Sequence, residues 1–299
     1  MKNNYTNKVK ISTPATSANI GPGFDCFGIA WDLSNIIECE KITSNKHKII
    51  GVEKRFNNDD NLFIKSYYFL LNKINNKKID KNFKLKLTFK CNIPISRGLG
   101  SSSSLIVAGL MCCNKMHGNI FSKKDILKFA TQIEGHPDNV APVIFGGFTI
   151  SMQKDNYVFV KKQKISKNIK YCAIIPDYEI STEKARSILP KQVDIKDAIF
   201  NISHSCMLLK GFENGDKNLI KYCLDDKIHQ NYRSILIPEF QKLKHFVDKK
   251  TIGLCISGAG STMLCLYNDD NFIKELKKQT KFKVIKLNIN KKGAEFIEK

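Results

Sequence analysis

A chain of 299 residues, 42% hydrophobic and 10% aromatic, is long enough to bury a sizeable core in one large domain or two smaller ones. No apolar run approaches the roughly 18 residues of a membrane span, and Met1 to Lys8 lacks the apolar core of a signal peptide, which makes the cytoplasm the expected compartment. A formal charge of +21, from 49 basic and 28 acidic residues, raises nucleic acid as a partner, but only Arg55, Arg97, Arg186 and Arg233 are arginine, and specific readers favour arginine forks gathered on one face.

In chain order, Val9-Lys10-Ile11, Phe27 to Trp31 and Ile36 to Cys39 read as strands. Asp60 to Lys73 suits an amphipathic helix capped by Asp60 or Asn61. Phe83 to Phe89 alternates apolar and polar residues as a half-buried strand does, and Leu105 to Met111 is an apolar run fit for a buried helix. Ser122 caps a further helix running to Glu134, with Ile126, Leu127, Phe129, Ala130 and Ile133 as its stripe. Composition changes around Asn156 and the lysine-rich stretch from Lys161 to Lys170, which places a boundary between residues 1–160 and 161–299. Beyond it, strands are expected at Tyr171 to Ile175, Thr251 to Ser257, Thr262 to Tyr267 and Phe282 to Leu287. Helices are expected at Ile195 to Gly211, Ile235 to Asp248 and Phe272 to Lys278. The fold class is α+β in both halves.

The lysines are dispersed through a chain also rich in Asn and Ile, so most of them read as codon drift on a solvated surface. Any attraction to polyanions should then be loose and salt-sensitive. An arginine that survives in this background is not expected to be surface filler. Ten cysteines with no C-x-x-C pair, two of them adjacent at Cys112-Cys113, read as free thiols and not as a zinc site.

Six stretches carry chemistry. Pro94-Ile95-Ser96-Arg97-Gly98-Leu99-Gly100-Ser101-Ser102-Ser103-Ser104 lies between a strand and a helix. A glycine-rich turn there lets backbone N–H groups converge at a helix start and hold a phosphate, with the serine hydroxyls and the charge of Arg97 adding to them. No lysine follows the last glycine, so the loop is not of the Walker type. Pro14 to Asp25 (P-A-T-S-A-N-I-G-P-G-F-D) is a tight turn presenting Asn19 and Asp25; the aspartate either holds a cation or ties down the turn. In Glu134-Gly135-His136-Pro137-Asp138-Asn139, Glu134 is a natural Mg²⁺ ligand, while Asp138 alone could cap a helix and His136 could be a packed surface histidine. Arg186 and Arg233 suit bidentate work on a carboxylate or phosphate, against the duller reading of helical ion pairs. Ser257 to Thr262 is a second glycine turn.

These motifs, in this order from Pro14 to Leu266, resemble the GHMP kinase superfamily, and most closely its homoserine kinase branch. The resemblance rests on P-x-T-S-A-N-x-G-P-G-F-D at 14–25, P-x-x-x-G-L-G-S-S at 94–102, E-G-H-P-D-N-V-A-P at 134–142, S-T-x-x-A-R-x-x-L-P at 181–190 and Y-R-x-x-L-I-P at 232–238. It implies ATP-dependent phosphorylation of the L-homoserine hydroxyl, toward threonine, with another small-molecule GHMP kinase as the alternative. It also implies an N-terminal ATP-binding domain resembling one half of a ribosomal protein and a C-terminal ferredoxin-like domain. Under this resemblance Pro94 to Ser104 wraps the triphosphate, Ser102 and Glu134 hold Mg²⁺, and Asn61 lies by the adenine. Asp25 pairs with the amino group of homoserine, and Arg186 and Arg233 clamp its carboxylate. Asn19, His136, Asp138 and Asn139 line the hydroxyl end, and Thr182 touches the transferred phosphate. Asn139 stands where mevalonate kinases place an aspartate base, so catalysis is expected to depend on positioning and charge. The implied partners are small molecules, with no specific nucleic acid and no membrane, and a homodimer is an open assembly. Ser261, where the family usually has proline, is expected to loosen the C-terminal turn, and His204 stands where relatives often have arginine or another residue.

Overall fold

The computed structural model describes residues 6–75 and 82–298, so Met1 to Tyr5, part of the stretch read for a signal peptide, lie outside the described residues. In chain order the first half runs β1 (Lys8–Ala18), β2 (Phe27–Ile42), β3 (Lys48–Ile50), α1 (Leu62–Lys73), β4 (Lys84–Lys90), α2 (Ser101–Met116), α3 (Lys123–Glu134), α4 (Pro137–Phe145), β5 (Phe148–Lys154) and β6 (Tyr157–Gln163). The rest is β7 (Lys170–Ile175), α5 (Thr182–Ser187), α6 (Ile195–Asn214), α7 (Lys217–Cys223), α8 (Gln230–Arg233), α9 (Phe240–Lys250), β8 (Gly253–Ile256), β9 (Met263–Tyr267), α10 (Asn271–Gln279), β10 (Lys283–Leu287) and β11 (Glu295–Phe296).

The two strands expected at Phe27 to Trp31 and Ile36 to Cys39 are one 16-residue strand, β2. Asp32 to Asn35, polar except for Leu33, hides its continuity in the sequence. Its partner β1 absorbs the irregularity with a register shift between Pro14 and Thr16. The bulge lets the hairpin serve two cores. Ile11 and Ile37 pack with α1 to α4, while Ala15, Ile29 and Trp31 pack toward the second half of the chain. This first sheet is ordered β11-β1-β2-β4-β3, with the β5–β6 hairpin attached to β2. Asn156 falls in the turn of that hairpin, and β6 stays paired in the first sheet through Gln163.

The second sheet is antiparallel and ordered β10-β7-β9-β8. With α10 between β9 and β10 and helices between β7 and β8, this is the βαββαβ arrangement expected of a ferredoxin-like half. Period-two alternation puts Tyr171 and Ala173 of β7 into the core shared with the first sheet, and Cys172 and Ile174 against α9 and α10. The helix expected at Ile235 to Asp248 begins only at Phe240, because Pro238 disfavours helical geometry at Ile237. All ten cysteines are free thiols. No helix among the described residues is long and apolar enough to cross a membrane.

Candidate active site

The glycine-rich turn between β4 and α2 has a specific hydrogen-bond polarity. The carbonyls of Ser96, Arg97 and Leu99 accept from the N–H groups of Ile180, Thr262 and Thr16, and the Gly98 carbonyl accepts from the Ser257 hydroxyl at 2.6 Å. Four consecutive carbonyls are therefore engaged by the surrounding protein, whereas the N–H groups of Arg97 to Gly100 donate to no described residue. Those donors, followed by the free N–H groups of the first turn of α2, make an anion cradle. Gly98 and Gly100 hold φ values of +74° and +66°. A Cβ at Gly98 would lie 2.2 Å from the Ser257 carbonyl oxygen, and one at Gly100 would lie 1.9 Å from Thr16 Oγ1. Both positions need glycine for conformation and for close approach.

Glu134, the last residue of α3, turns toward this cradle. Its Oε2 accepts from Ser102 at 3.0 Å and its Oε1 from Ser103 at 2.7 Å. A carboxylate and a hydroxyl at the edge of a phosphate cradle form the hard oxygen donor set that Mg²⁺ takes, so the residues present fit that ion.

A second group of polar side chains faces the cradle across a cavity of about 800 Å³. Arg186 of α5 donates to both oxygens of Asp25, at 2.7 and 3.2 Å, across 161 residues of sequence. Arg233, only 2% exposed, donates from Nε to the Ala185 carbonyl and from Nη1 to the Gly258 carbonyl. Burial, and then the neighbouring Arg186, lower its pKa to about 10, so it remains cationic at neutral pH. His136 precedes the first turn of α4 without capping it through its side chain, and its Nδ1 lies 2.7 Å from Asp138. Burial opposes its charge, but the hydrogen bond and charge of Asp138 outweigh it and leave the His136 pKa above its ordinary value. Asn139 accepts a 2.7 Å bond from Thr16 Oγ1.

The cavity wall includes Asn19, Asp25, Asn61, Pro94, Ile95, Ser96, Arg97, Gly98, Gly100, Ser101, Ser102, Glu134, His136, Asp138, Asn139, Thr182, Arg186 and Arg233. Three members of the predicted loop stand behind it. Leu99 is buried in the core, the Ser103 hydroxyl is held by Glu134, and Ser104 Oγ shares a 2.7 Å hydrogen bond with Thr13. Several wall residues also have structural work. Asn61 caps α1 by accepting from the Phe63 N–H, and Asn19 joins the Asp25 N–H to the Gly258 carbonyl. Arg97 differs from expectation more sharply. Its Nε and Nη2 donate to the carbonyls of Pro176 and Asp177, so it ties the loop to the end of β7. Nor does Ser261 leave its turn loose, because its hydroxyl donates to the Tyr178 carbonyl at 2.7 Å. His204 stacks on Phe200, with ring centroids 3.5 Å apart. Thr16 stands in a motif already singled out, but no local signal gave it a role. Buried His229 showed no local signal either; both act through partners far away in sequence.

Non-glycine residues with positive φ gather here. Asn19, Ile20, Asp25 and Ser96 hold values from 48° to 72°. The β-branched Ile20 is the most unusual of them, and such strain persists only where surrounding contacts over-determine the backbone.

Two family models match the chain, the GHMP kinases N terminal domain over residues 61–147 and the GHMP kinases C terminal over residues 208–281. A homoserine kinase of Clostridium botulinum (strain 657 / Type Ba4) is 40% identical over 294 residues, spanning 96% of this chain and 97% of the relative. The crystal structure of homoserine kinase from Cytophaga hutchinsonii is 28% identical with a TM-score of 0.85, covering 98% of each chain. A putative homoserine kinase from Listeria monocytogenes, 24% identical, shares the fold with a TM-score of 0.80 over 97% of this chain and 99% of that one. The chain belongs to the homoserine kinase family of the GHMP kinases.

Proposed function

We propose that the cavity transfers the γ-phosphoryl group of ATP to the side-chain hydroxyl of L-homoserine. One observation carries the choice of acceptor: a carboxylate and two guanidiniums, Asp25 with Arg186 and Arg233, share one cavity with an amide-lined anion cradle. A zwitterionic amino acid needs that set of charges around its α-carbon. Its ammonium takes Asp25, and its carboxylate takes Arg186 and the Arg233 Nη2, the guanidinium nitrogen without a partner among the described residues. The side chain then points toward His136, Asp138 and Asn139.

The triphosphate occupies the N–H groups of the loop. Glu134 and Ser102 hold Mg²⁺, which neutralises charge on the phosphate oxygens when bound. The cavity wall beside Asn61, formed by Val52, Phe56, Leu62 and Phe89, receives the base. Asn139 is an amide whose oxygen already accepts from Thr16, so it orients and does not take a proton. Phosphoryl transfer asks little covalent chemistry of a protein, and positioning with charge stabilisation suffices. Thr182, at the first turn of α5, lies on the wall where it can meet the transferred group. The division near residue 160 is best moved just past Gln163, where β6 leaves the first sheet, giving an ATP-binding half and a C-terminal half with the cavity lined from both.

A coupled ADP-release assay with ATP, Mg²⁺ and either L-homoserine, mevalonate or a sugar tests this reading. Turnover is expected with L-homoserine alone. Turnover confined to mevalonate or a sugar would assign the site to another acceptor.

A further inference from the structure

Phe24 lies beside Asp25 in sequence, yet it is not part of the cavity wall. Its ring has three notable neighbours. The Arg233 guanidinium carbon lies 5.1 Å from its centroid and that of Arg186 lies 5.6 Å away, while the His229 ring stacks at 5.2 Å with 23° between planes. Both guanidiniums lie within the range at which an aromatic face attracts a cation. Two cations this close to one another repel, and Asp25 pairs directly with only one of them. The ring quadrupole supplies a second attraction that both can share.

The ring is held firmly. His229 Nε2 donates to the Gly21 carbonyl at 2.8 Å, and the Asp25 N–H donates to Asn19. The Pro22 carbonyl accepts from Ser205 and, at a longer distance, from Asn201. Burial lowers the His229 pKa, so the imidazole stacks in its neutral form and adds no third positive charge.

The geometry points to Phe24 as the positioning residue of the carboxylate clamp: its ring fixes where the Arg186 and Arg233 guanidiniums sit and so governs homoserine affinity without touching homoserine. This rests on the acceptor assigned above. Leu keeps apolar bulk at this position and removes the π face, whereas Tyr keeps the face. Phe24→Leu is expected to raise the homoserine KM by about tenfold and leave the ATP KM within about twofold. Phe24→Tyr should restore the homoserine KM to near the native value. An unchanged homoserine KM in Phe24→Leu, a parallel rise in both KM values, or equal loss in Phe24→Leu and Phe24→Tyr would each overturn the assignment. If the native protein does not phosphorylate homoserine, the acceptor reading fails by itself. Phe24 is then decided by a double-mutant cycle of Phe24→Leu with Arg186→Met in thermal denaturation, where coupling supports the contact and additivity removes it.

Discussion

Arg233 combines deep burial with a full positive charge, and its Nε and Nη1 are anchored on backbone carbonyls of two different segments. A guanidinium so fixed is pre-organised for a ligand carboxylate, which makes it informative to remove. Arg233→Leu is expected to raise the homoserine KM at least about tenfold, from the loss of a hydrogen bond between charged groups, and to leave the ATP KM nearly unchanged in steady-state kinetics. His136 offers a different handle. Its folded pKa stands above the ordinary 6.5, so the pair with Asp138 stabilises the fold fully below that value and loses its contribution as pH rises through the folded pKa. The stability difference between the native protein and His136→Asn, followed by urea denaturation, should therefore shrink from pH 6 to pH 8. His229, whose pKa moves the other way, is common to both proteins and cancels from the difference. At this scale the sequence was partly legible. Arginine scarcity singled out Arg186 and Arg233, both on the cavity wall. Arg97 stands on the same wall, but its carbonyl partners at Pro176 and Asp177 leave no trace near residue 97. Arg55, bidentate to Glu179 on the surface, is an exposed ion pair of the kind that contributes little.

Elements with their own start and stop signals could be read directly. The Ser122–Asp125 capping box begins α3, Gly135 ends it, and Asn61 caps α1. What escaped reading depends on long-range pairing. The second strand of the β5–β6 hairpin ends in Lys161-Lys162-Gln163, which merges into the lysine-rich stretch that follows, and β2 is continuous only because β1 carries a bulge opposite its polar middle. The glycine-rich turn was legible as an anion site, but its close approach to the second half of the chain was not. That contact makes Gly98 a junction. Gly98→Ala introduces a Cβ 2.2 Å from a backbone oxygen, at a φ that strains any side chain. It should cost about 1–3 kcal/mol in thermal or urea denaturation and weaken ATP binding more than homoserine binding. A variant as stable and active as the native protein would show that the two loops do not need this approach.

For the molecule as a whole, the +21 charge and the cavity make separate predictions. Dispersed lysine attracts polyanions through counterion release, so binding to heparin or DNA should be weak and lost by about 0.2 M salt. Tight binding that survives higher salt would point to an organised nucleic-acid surface. The cavity draws Asp25, Glu134, His136 and Asp138 from the first half of the chain, and Thr182, Arg186 and Arg233 from the second. No single stretch contains both the anion cradle and the charges proposed to hold the amino acid, and the proposed transfer requires the two together. Phosphorus NMR of the protein with ATP and Mg²⁺ tests that requirement most directly. A phosphomonoester signal should grow together with ADP when L-homoserine is present, and should be absent when it is omitted or replaced by mevalonate. Release of inorganic phosphate alone, or a phosphomonoester formed only with mevalonate, would contradict it.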